Sequence, residues 1–418
     1  MKIPNHDLKD GFQDKCQICG SKNLHEIIDL GNQPLADKLP LINENATKVI
    51  SYPLIQSFCK DCGLNQLRYI CSSKLMFGDN YNYKTGVTKE LVDYQANMAS
   101  TLVEELCLSQ KDLVCDLGSN DGTLLKGFKN CGVKIFGVEP TDISEIANNS
   151  GIPTLRSPFG VKAAEIIKSK YGEASLATAT NVFAHVQNLG DFLRGLNILL
   201  KENAYFCFEN HYLNSILENT QYDTIYHEHL RSLSLTAIKK LFSFYNFTLI
   251  KVKETSRYGG NIRILVRKGK NHEQERSITD FLEKEKKLFN LNIYKKFKDN
   301  AIKSKIELLK TLIDLKSRGK YVVGYSLPAR AMTLINYVGI DNDMIPYIVE
   351  QPNSLKLNKY VPGTRIPILS NTCLEREKPE YLLVFAWHLK KEIISYLRRR
   401  GIKCKCIFPL PEVEILEL

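Results

Sequence analysis

The chain has 418 residues, 44% of them hydrophobic and 25% charged, a balance that fits two or three globular domains. Lys and Arg exceed Asp and Glu by 57 to 46. This excess favours an anionic partner, but it is diffuse and lysine-rich and does not select nucleic acid. No apolar run approaches the length of a bilayer span, and Met1 to Phe12 is polar, so the expectation is a cytoplasmic enzyme with no membrane partner.

Residues 14 to 80 carry few long periodic segments and several turn residues, such as Gly31-Asn32-Gln33-Pro34, which predicts a small module organised by metal rather than by a large core. Two Cys-x-x-Cys-Gly pairs, Cys16/Cys19 and Cys59/Cys62, can enclose one zinc ion tetrahedrally. With four thiolates no coordination position stays open, so the metal is expected to be structural. The other eight cysteines are scattered and read as buried thiols rather than disulfides.

Helical spacing of apolar residues runs from Lys89 to Leu108. Short apolar strands then alternate with helix-like segments at residues 113–116, 134–138, 176–180 and 205–208, the pattern of a doubly wound parallel sheet. After the first strand comes Asp116-Leu117-Gly118-Ser119-Asn120-Asp121-Gly122. Its glycines allow close backbone approach to a ligand, and a following helix offers free N–H donors. An acidic residue before the first glycine and an asparagine between glycines suit a cofactor without phosphate. Glu139, with Pro140, ends the next strand, where a carboxylate can hold two ribose hydroxyls. Together these residues point to S-adenosylmethionine.

Asn181-Val182-Phe183-Ala184-His185 lies just past the fourth strand, where residues line the cleft of such a sheet. The densest cluster is Tyr222-Asp223-Thr224-Ile225-Tyr226-His227-Glu228-His229, with two of the chain's eight histidines in three residues. Acid/base chemistry, a metal site and a structural network are all open to it. The absence of the His-Glu-x-x-His spacing disfavours a zinc hydrolase. Tyr81 and Tyr83, beside Asp79, are placed to close the cleft. A charged helical stretch from Ser277 to Lys320 leads to a second strand-turn-helix unit at residues 321–337 and strands near 346–350 and 381–385, a smaller second α/β domain.

These residues resemble the zinc-containing sugar C-methyltransferases that build branched deoxysugars on nucleotide carriers. The likeness spans the cysteine pairs, the Asp116 to Gly122 loop, Asn181 to His185, and Tyr226 to His229. It continues through Gly324 to Arg330, Asn336 to Ile340 and Tyr360 to Pro367. It implies a zinc module (1–80), a class I S-adenosylmethionine methyltransferase domain of Rossmann-like α/β fold (81–270), and a smaller C-terminal α/β domain (271–418) that binds a nucleotide-linked sugar. The implied reaction is C3 methylation of a dTDP-4-keto-deoxysugar. His229 would be the base, held by Glu228, with Tyr226, His185 and Tyr81 around the sugar. Asp116, Gly118, Asn120, Gly122, Glu139, Pro140 and Asn181 would hold the cofactor. Tyr83, Arg330, Asn336 and Arg365 would meet the substrate. The chain departs from the family where Arg330 replaces a frequent lysine and where Tyr258 precedes Gly259-Gly260 in place of a histidine. A zinc-ribbon nucleic-acid methyltransferase and a non-catalytic methyltransferase-like scaffold are the competing readings.

Overall fold

The computed structural model describes residues 3–43, 49–77, 81 and 83–418; Asp79 lies outside them. Near the N-terminus the strands Leu24–Pro34, Ser51–Cys59 and Asn65–Leu67 pair antiparallel in that order. A fourth strand, Arg231–Ser232, completes the sheet beside Asn65–Leu67 although it comes from much later in the chain. The sequence hides the length of Leu24–Pro34 because two register shifts interrupt it, and Gly31 sits at φ +75° between paired residues. Ile27, Ile28, Leu30, Leu54, Phe58 and Leu67 are buried in one cluster with Tyr294 and Phe297 of the helix Asn292–Ser317. The module therefore has an apolar core shared with the C-terminal part of the chain, in addition to its cysteines.

The central sheet follows from short apolar runs that are buried on both faces, as parallel strands between helices must be. Across it the strands run Thr154–Arg156, Lys134–Glu139, Leu113–Leu117, Ala174–Thr180, Leu200–His211, Asn261–Lys268 and Phe247–Thr255. In chain order this is 3-2-1-4-5-7-6. Only Asn261–Lys268 runs against the others. The order reverses between Leu113–Leu117 and Ala174–Thr180, which opens a crevice at their carboxyl ends.

A six-stranded sheet near the C-terminus repeats the principle. Its order is Ile368–Ser370, Ile348–Glu350, Val322–Tyr325, Tyr381–Val384, Lys405–Phe408 and Glu414–Glu417, parallel except for the last. In chain order that reads 3-2-1-4-5-6, with a reversal beside Val322–Tyr325. The reversal points of both sheets border one cavity of about 920 Å³.

Candidate functional site

The four Sγ atoms of Cys16, Cys19, Cys59 and Cys62 lie within 4.8 Å of one another. The pairs Cys16–Cys62 and Cys19–Cys59 are 3.4 and 3.5 Å apart. These gaps are too long for disulfides, whose S–S bond is about 2.05 Å. They are close to the edge, roughly 3.8 Å, of a tetrahedron built on Zn–S bonds of about 2.3 Å. Matching turns form each half: Gly20 N donates to Cys16 O and Gly63 N to Cys59 O, both at 2.9 Å. The donor set fits zinc, and none of the four cysteines borders the cavity.

The cofactor loop occupies the crevice of the central sheet. Gly118 has φ +83°, and a Cβ there would lie 2.5 Å from a methyl of Val182, so only glycine allows the turn. Asp116 accepts from Thr178 Oγ1 at 2.7 Å, and burial pushes its carboxyl up to about 7. Glu139 accepts from Thr141 N and Oγ1 on one oxygen and from Asn120 N on the other. A carboxylate has about four acceptor sites, so one remains for a ribose hydroxyl rather than the two expected. Asn120 uses its side chain to hold residues 83–85 over the loop, accepting from Thr85 N and donating to Tyr83 O. Asn181, at φ +55°, accepts from Asn261. Pro140 borders the cavity and Gly122 does not: it begins the helix Thr123–Asn130 and packs on Ile152. Among the described residues Ser119 Oγ is buried without a hydrogen-bond partner. Two buried carboxylates and an unpartnered hydroxyl fit the sulfonium, ammonium and ribose of S-adenosylmethionine. Gly118→Ala is expected to weaken its binding roughly tenfold or more by calorimetry, because left-handed backbone alone costs an L-residue about 1–2 kcal/mol.

Four of the eight histidines, His185, His211, His229 and His388, border the same cavity. His229 Nδ1 is 2.7 Å from the Thr224 carbonyl and Nε2 is 2.7 Å from Tyr226 Oη. A carbonyl can only accept, so Nδ1 carries the proton and Nε2 accepts from the tyrosine. Burial, His211 and His185 hold the His229 imidazole neutral, well below its ordinary pKa. His185 Nδ1 donates to the Glu228 carbonyl at 2.6 Å, with its ring 4.9 Å from that of His229. Burial brings its pKa down to about 4. Tyr81 borders the cavity, and burial and Asp37 raise its phenol.

The expectation that Glu228 holds His229 is corrected. Its carboxyl turns to Asp37, whose N–H donates to it at 3.4 Å, and burial with that acid neighbour pushes it up to about 8. Glu228 and Asp37 border the cavity too, but His229 Nδ1 is met by the Thr224 carbonyl, which takes the orienting role. His227 faces away, donating to Tyr52 O in the N-terminal sheet.

On the C-terminal side, Tyr83 and Tyr258 touch through their hydroxyls at 3.2 Å. Arg330 borders the cavity, but Asp223 receives its guanidinium on two oxygens at 2.8 and 2.7 Å. Gln221 and the Tyr258 carbonyl take two further donors. Its charge is thus already met, and one N–H is left for a ligand. Asn336 and Arg365 do not border the cavity. Asn336 ties the carbonyls of Met332 and Pro362 together, and Arg365 is exposed. Helical facing decides Asn336, which lies in the helix Arg330–Val338, whereas Arg365 sits in a loop; neither placement is written in a short motif.

Sequence reasoning passed over His211, His388, Asp37, Glu350 and Lys356, all at the cavity. The two histidines had a signal. His211 ends the strand Leu200–His211, and His388 follows Tyr381–Val384, so both stand at carboxyl ends of parallel strands, where such sheets bind ligands.

Family models match the chain in the order the folds suggest: a zinc binding domain over residues 16–77, a methyltransferase domain over 93–252, and a C-methyltransferase C-terminal domain over 256–411. The chain is 28% identical to C-methyltransferase NovU of Streptomyces niveus, over 96% of this chain and 97% of that protein. Across residues 16–411 the chain is thus similar to C-methyltransferases that carry a zinc binding domain. Solved structures overlap smaller parts. Magnesium protoporphyrin IX methyltransferase of Synechocystis PCC 6803, with bound S-adenosylhomocysteine, is 13% identical at a TM-score of 0.35, over 45% of this chain and 90% of that one. YcgJ of Bacillus subtilis is 13% identical at 0.35, over 43% and 100%. The protein is an S-adenosylmethionine-dependent methyltransferase with a structural zinc site. Among the described residues no helix is long and apolar enough to cross a membrane.

Proposed function

We propose that the enzyme methylates C3 of a nucleotide-linked 4-keto-deoxysugar, with dTDP as the preferred carrier, through an enolate. The reading divides the chain into a zinc module (1–80), a cofactor domain (81–270) and a nucleotide-sugar domain (271–418). The observation that carries it is the single 920 Å³ cavity joining the crevices of two doubly wound sheets, with neutral histidines between them. That volume is at the upper end for pockets of drug-sized ligands and suits two substrates meeting. The Val322–Tyr325 sheet has the strand order of a dinucleotide fold, and Glu350 ends its second strand, the usual place of a ribose-binding acid. Lys356, Arg257, Arg399 and the remaining Arg330 N–H are among the cations at the cavity for a diphosphate.

When bound, S-adenosylmethionine supplies a methyl group on a positively charged sulfur. Methylation of carbon needs a carbon nucleophile, and a C–H beside a ketone becomes one when a base removes its proton. Tyr226 and His229 fit that step as a pair: the tyrosine oxygen takes the proton as its own passes to Nε2. Thr224 keeps Nδ1 protonated and so keeps Nε2 open. Tyr81, His185 and Tyr83 surround the reacting carbon in this reading.

Incubation with methyl-labelled cofactor and dTDP-, UDP- and GDP-linked 4-keto-6-deoxysugars tests it. The expected product carries its new methyl on C3 by NMR. No transfer to any of them by protein that binds the cofactor, or a methyl on oxygen or nitrogen, would overturn it.

A further inference from the structure

His211 and His388 differ from the other two histidines of the cavity, and of these two His211 is the one whose ring lies against His229. His185 and His229 each have one ring nitrogen fixed by a backbone carbonyl. Among the described residues neither nitrogen of His211 has a hydrogen-bond partner, and its Nδ1 is buried. A buried polar group left without a partner costs about 1–3 kcal/mol, so its retention calls for a ligand. The strand Leu200–His211 delivers it to the carboxyl edge of the central sheet, next to the strand that ends at Thr180. There its ring lies 4.8 Å from His229 and 5.8 Å from Tyr258, centroid to centroid.

We propose that His211 is a catalytic residue, its neutral imidazole donating an N–H to the ketone oxygen of the carbon acid while His229 and Tyr226 take the proton. This rests on the carbon-acid reading above. The C–H bond breaks and its electron pair forms the C=C bond. The carbonyl π pair moves onto oxygen, where His211 stabilises it, and the proton ends on His229. The pair returns to re-form the carbonyl as the carbon is methylated, and His229 releases its proton to solvent. Burial, Arg330 and His185 bring the His211 imidazole down to about 3, so it stays neutral across the working range. A neutral imidazole can donate to an enolate oxygen without surrendering its proton outright, a pattern known from other proton-abstracting enzymes. His185 cannot duplicate it with Nδ1, which is spent on Glu228 O.

The test separates proton abstraction from methyl transfer. Exchange of the C3 hydrogen of dTDP-4-keto-6-deoxyglucose with D2O is followed by NMR in the presence of S-adenosylhomocysteine, for wild type, His211→Ala and His211→Gln. Removing a donor to a developing oxyanion typically costs 10²–10³-fold. That loss is expected in exchange and in methylation for His211→Ala, with cofactor affinity within twofold of wild type. Gln restores a donor and should recover at least tenfold over Ala. Exchange by His211→Ala within threefold of wild type would overturn the role of His211 and leave the sugar reading standing. So would loss of cofactor binding in both variants alongside activity, since the effect would then be structural. A wild-type enzyme that neither exchanges nor methylates this sugar or its UDP and GDP counterparts would overturn both.

Discussion

His229→Ala is expected to lower turnover by roughly 10²–10⁴-fold, the usual contribution of a positioned base, with S-adenosylmethionine affinity within twofold of wild type. Nδ1 is committed to the Thr224 carbonyl, so the basic electron pair sits on Nε2, 2.7 Å from the Tyr226 hydroxyl. Burial and two neighbouring histidines keep the ring neutral, so the base form is present throughout the working pH range. Tyr226→Phe keeps the ring but removes the oxygen that relays the proton in the proposed reaction. It should cost about as much as losing His229, and the double variant little more, because the two act on one proton. The cofactor loop shares no hydrogen bond with either residue, which is why binding should survive. Steady-state kinetics beside calorimetry decide the matter; near-normal turnover in His229→Ala would remove it from the role.

What the sequence made legible is what is local. A thiolate pair on one turn, a glycine that no other residue can replace, and apolar strands too short for helices each carry their reason within a few residues. Hence the cysteine pairs, the Asp116 to Gly122 loop and the parallel strands fall where expected. What stayed hidden depends on partners far along the chain. Arg330 reads as a free cation until Asp223, 107 residues earlier, is seen beneath it. Glu228 reads as a support for its neighbour until its carboxyl is seen against Asp37, 191 residues earlier. The N-terminal module reads as loops because bulges break its alternation, and because one of its strands, Arg231–Ser232, comes from beyond the histidine cluster. His211 is hidden because the apolar centre of its strand ends at Phe208, three residues short of the end that reaches the cavity.

Removal of zinc is expected to abolish methyl transfer, by 10²-fold or more, although no thiolate borders the cavity. Structural zinc sites contribute on the order of 10–16 kcal/mol to folding of the segments they tie, and here those segments support the histidines. Cys59 and Cys62 precede the strand Asn65–Leu67, which pairs with Arg231–Ser232 two residues after His229. Gln17, between Cys16 and Cys19, accepts from Arg231 Nε at 2.9 Å. The same guanidinium donates to the carbonyls of Phe183 and Val186, both at 2.7 Å, on either side of His185. Arg231 is 1% exposed, and burial brings its pKa down to about 9. A buried charge met only by neutral oxygens is costly to keep, so this hub holds only while the metal-bound turn and the His185 segment stay in place. Arg231→Met should therefore retain one equivalent of zinc and bind S-adenosylmethionine while losing most of its turnover, whereas Cys59→Ser should lose metal and turnover together. Metal content by mass spectrometry, cofactor calorimetry and turnover on the same preparations separate these cases. Full turnover in zinc-free protein would show that the histidines are held without the metal-bound turns.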